Sequence, residues 1–272
     1  KVMSRASEEN VSLPANWAEF SEGAGNGRPA RMMFYGVKGQ QRREGNTLSW
    51  TNPIEAAELV DLLTALLDKT SLTQADVGVM ATYRRQAILI RTVLRARSLG
   101  AVRVGTCDDW QGQENRIVFI STVVTRPQTL ERLDAQIGFL NNPKRFNVAI
   151  SRAMALNVIV GHPLVLMQNK LWRELLRDCV RRDAYRGAGA EHLPSWARAS
   201  SPIDDIPPEE ELEPYGFNIS EKEKSERRAI ADAISEIAEL SLLGAGASDA
   251  LGSPDSCQFD DFGDEPVWRV AV

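Results

Sequence analysis

The sequence has few cysteines, no long hydrophobic run and no cysteine spacing typical of a metal site. Cys107, Cys179 and Cys257 lie far apart, which favours free thiols in a reducing compartment, so we expect a cytoplasmic protein without a bound structural metal. No apolar run reaches the length of a membrane span, and no signal-peptide pattern opens the chain. The chain begins with Lys1 instead of methionine, so we expect a segment of a longer protein, or a processed one.

Charge is divided unevenly along the 272 residues. Residues 194–272 carry 18 acidic and 6 basic side chains, whereas residues 1–193 carry 26 basic and 19 acidic ones. A basic body joined to an acidic tail is typical of a protein that handles a polyanion, but a solvated surface with a disordered tail produces the same pattern. Charge therefore makes nucleic acid a candidate partner without deciding the question.

Predicted strands and helices alternate over residues 29–190, which we interpret as one domain. The helix that begins near Pro53 has a clear start, because Asn52 can cap it and Glu55 lies where a capping box requires an acid. The alternation predicts an α/β fold with a mostly parallel sheet and helices on both faces. The predicted strands are 32–37, 77–81, 101–105, 116–124 and 155–161, and the predicted helices are 53–67, 83–94, 141–153 and 163–182.

The two ends of the chain differ from this domain in composition. Residues 1–28 are polar and contain several glycines, and we interpret them as a leader or loop. Residues 191–272 are acidic and rich in proline near their start, which predicts a largely disordered tail. Within the tail, isoleucines recur at helical spacing and predict a helix over 221–243.

Two polar segments contain most of the residues with chemical potential. In RFNVAISRA (145–153), Arg145 and Arg152 are seven residues apart on a predicted helix, so two aligned guanidiniums could clamp a phosphate. A solvated helix face with surface ion pairs is the commoner reason for such spacing. In TCDDWQGQEN (106–115), Gly112 permits close backbone approach, and Glu114 could bind ribose or position a water. An ordinary loop anchored in the core by Trp110 would explain the same residues.

YRRQ (83–86), DDWQGQE (108–114) and RFNVAISRA (145–153) resemble motifs IV, V and VI of superfamily 1 helicases in order and spacing. The subgroup resembled is that of the nonsense-mediated-decay helicase. GFLNNPKRFNVAISRA (138–153) and NPIEAAELV (52–60) are especially similar to the Armitage-type RNA helicases, the homologues of Moloney leukaemia virus ten, which act in RNA silencing. The resemblance covers residues 30–185. It implies a RecA-like fold of the P-loop NTPase type and a motor that uses ATP and Mg²⁺ to move, 5′ to 3′, along single-stranded RNA.

The resemblance implies a phosphate side of the site. Arg152 matches the motif VI arginine finger, which reaches across an interlobe cleft to the γ-phosphate of ATP. Arg145 begins the same motif and would support the phosphate side or the geometry of the cleft. Gly112 and Glu114 match motif V positions that meet the nucleotide, with Glu114 at the ribose.

The resemblance also implies contacts to the base and to RNA. Tyr83 and Gln86 match the motif IV segment near the nucleotide, and Thr106 and Ser121 match positions that contact the RNA backbone. Trp50 precedes the helix cap at Asn52 and either stacks on the adenine or packs on the surface.

The chain departs from the family pattern in three places and lacks two of its elements. Ala81-Thr82-Tyr83 stands for Thr-Pro-Tyr, Pro53 stands where the decay helicase has an arginine, and Ser151 stands for threonine. The sequence contains no GxxxxGK[ST] loop, and no acidic strand-end box precedes the motifs. The resemblance therefore implies a second motor lobe that is inactive alone. Its partners would be the first lobe of the same protein and, through the acidic tail, silencing or decay proteins.

Two other functions stay open at this point. A DNA helicase lobe of the same superfamily would carry the same motifs, because these contact backbone and nucleotide more than sugar. A non-catalytic scaffold module, in which a degenerate lobe and the acidic tail recruit partners, would also lack the phosphate-binding loop.

Overall fold

The computed structural model describes residues 31–43, 49–125, 140 and 142–188, together with six positions between 225 and 236. The leader predicted over 1–28 and most of the tail predicted over 191–272 lie outside the described residues. Within the helix predicted over 221–243, the described positions are helical; they are Ser225, Ala229, Asp232, Ala233, Ile234 and Glu236.

The described body alternates short strands with helices. The strands are β1 (Met32–Gly36), β2 (Arg42–Arg43), β3 (Trp50–Thr51), β4 (Val77–Ala81), β5 (Arg103–Thr106), β6 (Asn115–Ser121), β7 (Ala153–Gly161) and β8 (Tyr185–Gly187). The α-helices are α1 (Pro53–Lys69), α2 (Arg84–Ala96), α3 (Pro143–Ile150), α4 (Pro163–Leu166) and α5 (Lys170–Arg181). Short 3₁₀ turns cover Gln74–Asp76 and Asp108–Trp110.

One parallel sheet organises this body. Among the described residues, its strand order is β5-β4-β6-β7-β1-β8, and each of its pairings is parallel. The chain leaves β1 and β4 towards one edge and β6 and β7 towards the other. Right-handed crossovers therefore place α1 and α2 on one face and α3 and α5 on the opposite face. The predicted RecA-like α/β class is confirmed.

The start of α1 agrees with its sequence signal in part. The Asn52 side chain accepts a hydrogen bond from the backbone N–H of Glu55 at 3.2 Å, and Pro53 occupies the first turn. The second half of the predicted capping box is not formed. The Asn52 backbone N–H donates instead to Oε1 of Gln86 at 2.8 Å, and the Glu55 carboxylate is bound elsewhere.

Two predicted helices end earlier than their patterns indicate. The helix predicted over 141–153 stops at Ile150, because Ala153 already pairs with Asn115 as the first residue of β7. The helix predicted over 163–182 is divided into α4 and α5, because the Asn169 side chain caps a new helix start.

The strand predicted over 116–124 is also shorter than expected. It ends at Ser121, two residues before Val123 takes a positive φ of 68°. The antiparallel hairpin of β2 and β3, and the edge strand β8, were not predicted, since segments of two or three residues show no periodicity.

Two fully buried tryptophans hold neighbouring elements together. Trp110 donates through Nε1 to the carbonyl of Val79 at 3.2 Å, which confirms its predicted place in the core. Trp172 of α5 donates to the carbonyl of Leu140 at 2.8 Å, and its ring meets Phe146 of α3 edge-on at 4.9 Å. Helix α3 is therefore held against the sheet through α5.

Candidate functional site

Arg145 and Arg152 do not share a helix face. Arg145 lies in the first turn of α3, whereas Arg152 follows the end of that helix and directly precedes β7. The predicted two-turn alignment is therefore wrong.

The charges of Arg145 and Arg152 nevertheless act on the same thiol, that of Cys107. Burial is the main cause that raises the pKa of Cys107 to about 11; Asp108 adds to the rise, and the two arginine charges oppose it.

Arg145 is held by hydrogen bonds of both its side chain and its backbone. Its Nη2 donates to Oδ2 of Asp108 at 3.2 Å, and its backbone N–H donates to the capping side chain of Asn142 at 3.3 Å. Its carbonyl accepts a weak hydrogen bond from the Cys107 thiol at 3.7 Å. These contacts join the turn after β5 to the start of α3, and the Asp108 carboxylate compensates the charge of Arg145.

Arg152 is oriented but not charge-compensated. Its Nε donates to the carbonyl of Val148 at 3.1 Å, and its Nη2 donates to the Ser151 hydroxyl at 2.8 Å. In the part of the chain that the structure describes, no carboxylate pairs with this half-buried guanidinium, and Nη1 has no hydrogen-bond partner. A guanidinium in this state can bind an incoming anion without first losing another one.

The turn between β5 and β6 presents an exposed rim on a fixed base. Gly112 has a φ of +71°, and a Cβ at this position would meet nothing within 4 Å. Glu114 is exposed beside it. Below the rim, Arg103 donates to Oε1 of Gln113 at 2.9 Å and lies 5.3 Å from the centroid of the Trp110 ring. The turn therefore holds Gly112 and Glu114 at the surface.

Thr106 ends β5 and is tied to the same turn. Its backbone N–H and its hydroxyl both donate to Oδ2 of Asp109, at 2.6 and 2.8 Å. In this structure Asp109 accepts the hydrogen bond that the hydroxyl would otherwise donate to a phosphate oxygen. The predicted RNA contact of Thr106 stays a prediction. The hydroxyl, which already donates to Asp109, can still accept a hydrogen bond from another molecule.

A second group of predicted residues lies on two segments that are hydrogen-bonded to each other. The backbone N–H of Arg85 donates to the Ser49 hydroxyl at 3.2 Å, and Gln86 exchanges hydrogen bonds with the backbone of Asn52 at 2.8 and 3.2 Å. Trp50 and Tyr83 lie on these adjacent segments, and both are half-buried. Burial raises the pKa of Tyr83 above its ordinary value.

Both predicted roles of Trp50 stay predictions. The Arg43 guanidinium lies 6.0 Å from the centroid of its ring, across the β2–β3 hairpin. A half-buried ring beside a cation suits an aromatic that packs on the surface, and it equally suits a platform for a base.

Gln86 and Ser121 do not reach the surface, and this corrects their predicted contacts. Both are 0% exposed. The Gln86 amide bonds to Asn52 and donates to the Ser121 hydroxyl at 3.1 Å, while Ser121 donates to Oε1 of Glu55 at 2.5 Å. Neither side chain can touch nucleotide or RNA in this arrangement. Their hydrogen bonds are used to join β6 to the starts of α1 and α2.

Glu55 is the residue of this group that the sequence did not reveal. It is 0% exposed, and its carboxylate accepts hydrogen bonds from the Ser121 hydroxyl, from the Val123 backbone N–H and from the Asn52 side chain. Burial raises the pKa of Glu55 to about 7, against the lowering effect of the Ser121 and Val123 hydrogen bonds. An acid three residues after a helix cap looks like part of the cap, so its burial left no separate signal.

The two groups lie at opposite ends of β6. Arg152 lies where β6 and β7 begin, next to Asn115, whereas Gln86 and Ser121 lie where β4 and β6 end. At about 3.3 Å per residue, seven residues of strand separate them by roughly 20 Å. The described residues therefore do not bring the predicted site residues into one pocket.

Comparison with known proteins shows the family of the chain. Residues 6–164, more than half of its length, match the family model described as an AAA domain. The chain belongs to this AAA domain family. The nine predicted site residues all fall within the matched part of the AAA domain.

Individual relatives agree with that assignment. The chain is 37% identical over 158 residues to RNA helicase Mov10l1 of Homo sapiens, and this alignment covers 57% of the chain and 13% of the relative. It is 36% identical over 156 residues to probable RNA helicase armi of Drosophila melanogaster, with 57% and 13% covered. It is 34% identical over 183 residues to putative helicase MOV-10 of Gallus gallus, with 61% and 19% covered. The predicted kinship with superfamily 1 RNA helicases is confirmed, and the chain spans less than a fifth of each of these relatives.

Three structural findings complete the description of the AAA domain. In its described residues, no helix is both long and apolar enough to span a membrane, and no group of three or more histidine, cysteine or acidic side chains could hold a metal ion. Cys107 and Cys179 are free and buried, and Cys257 lies outside the described residues.

Proposed function

We propose that this AAA domain is the second motor lobe of an ATP-dependent RNA helicase and that Arg152 is its arginine finger. The observation that supports this most directly is the state of Arg152, which Val148 and Ser151 orient while no described carboxylate neutralises it. Charge held in place before the reaction stabilises a phosphoryl-transfer transition state without reorganisation. Arg145 differs, because Asp108 compensates its charge. We assign Arg145 to holding the rim turn against α3.

The nucleotide would be contacted from two sides. Gly112 and Glu114 form the exposed rim near Arg152, and we assign Glu114 to the ribose. Trp50 and Tyr83 lie on the joined segments at the other end of β6, and we assign them to the base. These groups are about 20 Å apart in this lobe, and closure against another lobe would not shorten that distance, so one extended ATP would have to reach both of them.

ATP and Mg²⁺ fit this lobe as parts of a site completed elsewhere. The described residues supply a cation for the phosphates, and they contain no acidic cluster that could hold magnesium. We therefore assign the magnesium ligands and the phosphate-binding loop to a first lobe of the full-length protein. Bound Mg²⁺ would neutralise phosphate charge, while Arg152 would meet the γ-phosphate only when the lobes close. This segment by itself would not hydrolyse ATP.

The proposed substrate is single-stranded RNA, because the relatives Mov10l1 and armi are named RNA helicases. Thr106 is the last residue of β5, where the chain leaves the sheet for the rim turn, and we assign it to the RNA backbone. A grip through phosphates makes binding fall steeply as salt rises. Movement from 5′ to 3′, a role in cytoplasmic RNA silencing or decay, and recruitment of partners by the acidic tail belong to the same proposal.

The proposal is tested with Arg152→Ala in the full-length protein. Loss of the finger should lower ATP turnover by about 10³-fold or more, because the charge acts in the transition state. Affinity for single-stranded RNA should stay within about twofold, since phosphate contacts to RNA are made elsewhere. Arg182→Ala is the matched control, because it removes an exposed arginine of the α5 end that pairs with Asp178.

Three results would change the proposal. Wild-type turnover in Arg152→Ala would refute the arginine finger. Stronger stimulation of the wild-type protein by single-stranded DNA than by RNA would favour a DNA helicase. A full-length protein without nucleic-acid-stimulated turnover would favour the scaffold function.

A further inference from the structure

The segment that follows β6 has an unusual backbone. Val123 has a φ of 68°, in the left-handed region, and it is fully buried. For a β-branched residue this conformation is a genuine outlier. It persists where surrounding contacts impose it, and such outliers cluster at functional sites.

The first turn of α1 supplies those contacts. Both carboxylate oxygens of Glu55 accept from the Val123 backbone N–H, at 2.9 and 3.1 Å. The Asn52 side chain donates to the Val123 carbonyl at 3.2 Å and to Oε2 of Glu55 at 3.3 Å. Both polar groups of the Val123 backbone are therefore held by one helix start.

The same contacts extend to the start of α2. Gln86 bonds to the Asn52 backbone and to the Ser121 hydroxyl, and Thr82 donates through its hydroxyl to the Thr122 carbonyl at 3.1 Å. The starts of α1 and α2 and the end of β6 thus form one buried polar unit. Its two helix starts follow directly after Trp50-Thr51 and Tyr83 in the sequence.

This unit lies at a particular place in the sheet. Strands β4 and β6 are neighbours, and the chain leaves them in opposite directions, which makes their carboxyl ends a switch point where α/β sheets bind ligands. The register puts Thr106, Ala81 and Ser121 in one row across β5, β4 and β6. Thr106 is the residue assigned to RNA above, so the unit links one edge of the sheet to the segments assigned to the base.

We propose that Glu55 is a positioning residue that holds the exit of β6 in its left-handed conformation and thereby couples RNA binding to the nucleotide side. The inference rests on the proposed function. When the carboxylate holds Val123, the row of strand ends and the segments of Trp50 and Tyr83 keep one arrangement. When that hold is lost, Val123 relaxes towards extended backbone, and the strand ends are no longer tied to these segments.

The test compares Glu55→Gln with the wild-type full-length protein. Glutamine has the same shape, but its amide NH₂ would face one of the three donors that now surround the carboxylate. We expect the ratio of RNA-stimulated to unstimulated ATP turnover to fall about tenfold, whereas partial unfolding would lower both rates and leave their ratio unchanged. Asp68→Asn is the matched control, because it neutralises an exposed carboxylate at the far end of α1.

A second substitution separates positioning from simple packing. Glycine adopts positive φ without steric cost, so Val123→Gly should keep the turn when the carboxylate is gone. The double variant Glu55→Gln, Val123→Gly should recover most of the lost stimulation. Full stimulation in Glu55→Gln, or a double variant no better than Glu55→Gln, would overturn the proposal. If Glu55→Gln does not fold, Ser121→Ala removes one donor and should lower the ratio by about threefold; an unchanged ratio overturns the proposal.

A readout independent of ATP turnover completes the test. Amide hydrogen exchange at residues 121–125 of the full-length protein should be at least about tenfold faster in Glu55→Gln than in wild type. Unchanged exchange there would show that Glu55 does not hold the turn. Absence of RNA-stimulated turnover in the wild type would instead refute the proposed function, and the exchange experiment would still decide the role of Glu55.

Discussion

The backbone N–H of Asn115 donates a hydrogen bond to the carbonyl of Arg152 across 3.2 Å. This contact ties the turn that carries Gly112 and Glu114 to the residue proposed as the arginine finger. Ala153, next in sequence, pairs with Asn115 in the sheet, so the backbone at Arg152 is fixed by its neighbours. The rim turn and the backbone of Arg152 are therefore tied to each other.

Gly112→Ala tests the rim turn. The added methyl group meets nothing within 4 Å among the described residues, so its cost to stability should be conformational, about 1 kcal/mol, and visible in urea unfolding. If nucleotide approaches this glycine, the KM for ATP of the full-length protein should rise about tenfold or more. Gly100→Ala is the control, since its Cβ would make an ordinary 3.5 Å contact with Arg95. An unchanged KM in Gly112→Ala would contradict the assignment.

Arg145→Ala should lower ATP turnover about tenfold, much less than Arg152→Ala, because Arg145 acts through the turn it holds. The ion pair with Asp108 is exposed, with side chains 34% and 62% accessible, so Asp108→Asn should cost less than about 1 kcal/mol of stability. A double-mutant cycle on turnover gives the measurement. The double variant should be no worse than Arg145→Ala, and a much larger loss would show that the two residues act independently.

Trp110→Ala should destabilise the domain by about 3–5 kcal/mol, because it empties a fully buried site and leaves the Val79 carbonyl without its donor. Urea unfolding followed by far-UV circular dichroism measures the change. Met154→Ala is a suitable reference, since Met154 is 45% exposed and its truncation should fall within about 0.5 kcal/mol of wild type. A loss below 1 kcal/mol for Trp110→Ala would contradict its role as an anchor.

Glu55 should make stability depend on pH. Its pKa is raised from 4.5 to about 7 by burial, so between these values the folded chain keeps a proton that the unfolded chain has lost. The free energy of unfolding should therefore fall as pH rises through this window, by up to about 3 kcal/mol, and change no further above it on account of this group. Urea unfolding at pH 5 and pH 8 measures the fall, which should be absent in Glu55→Gln. Equal pH dependence in both proteins would contradict the burial of this carboxyl.

The sheet and its main helices could be predicted because their signals are local. Val77–Ala81 is an uninterrupted apolar run, as a strand covered on both faces requires, and it is a strand in the structure. Asn52 and Pro53 mark the start of α1 by the chemistry of a helix cap. The helicase family was identified from the resemblance of the motifs, because their residues can be recognised in the sequence without knowledge of the structure.

The site could be predicted less well because it depends on contacts between distant segments. The end of α3 before Arg152 follows from the pairing of Ala153 with Asn115, 38 residues earlier in the sequence. The burial of Gln86 and Ser121 follows from the position of Glu55, whose partner Val123 is 68 residues away. Contacts between such distant residues leave no periodic pattern and no bias in composition, so they cannot be predicted from the sequence alone.

The position of β7 has a mechanical consequence. This strand begins immediately after Arg152, is hydrogen-bonded to β6 on one side and β1 on the other, and continues for nine residues to Gly161. Its pairing with β1 begins only at Asn157, and its register with β6 is irregular between Asn115 and Ile117, so the first residues of β7 are the less restrained end of the strand. A load on Arg152 would therefore reach the sheet first through β6, and through β1 only from Asn157 onward.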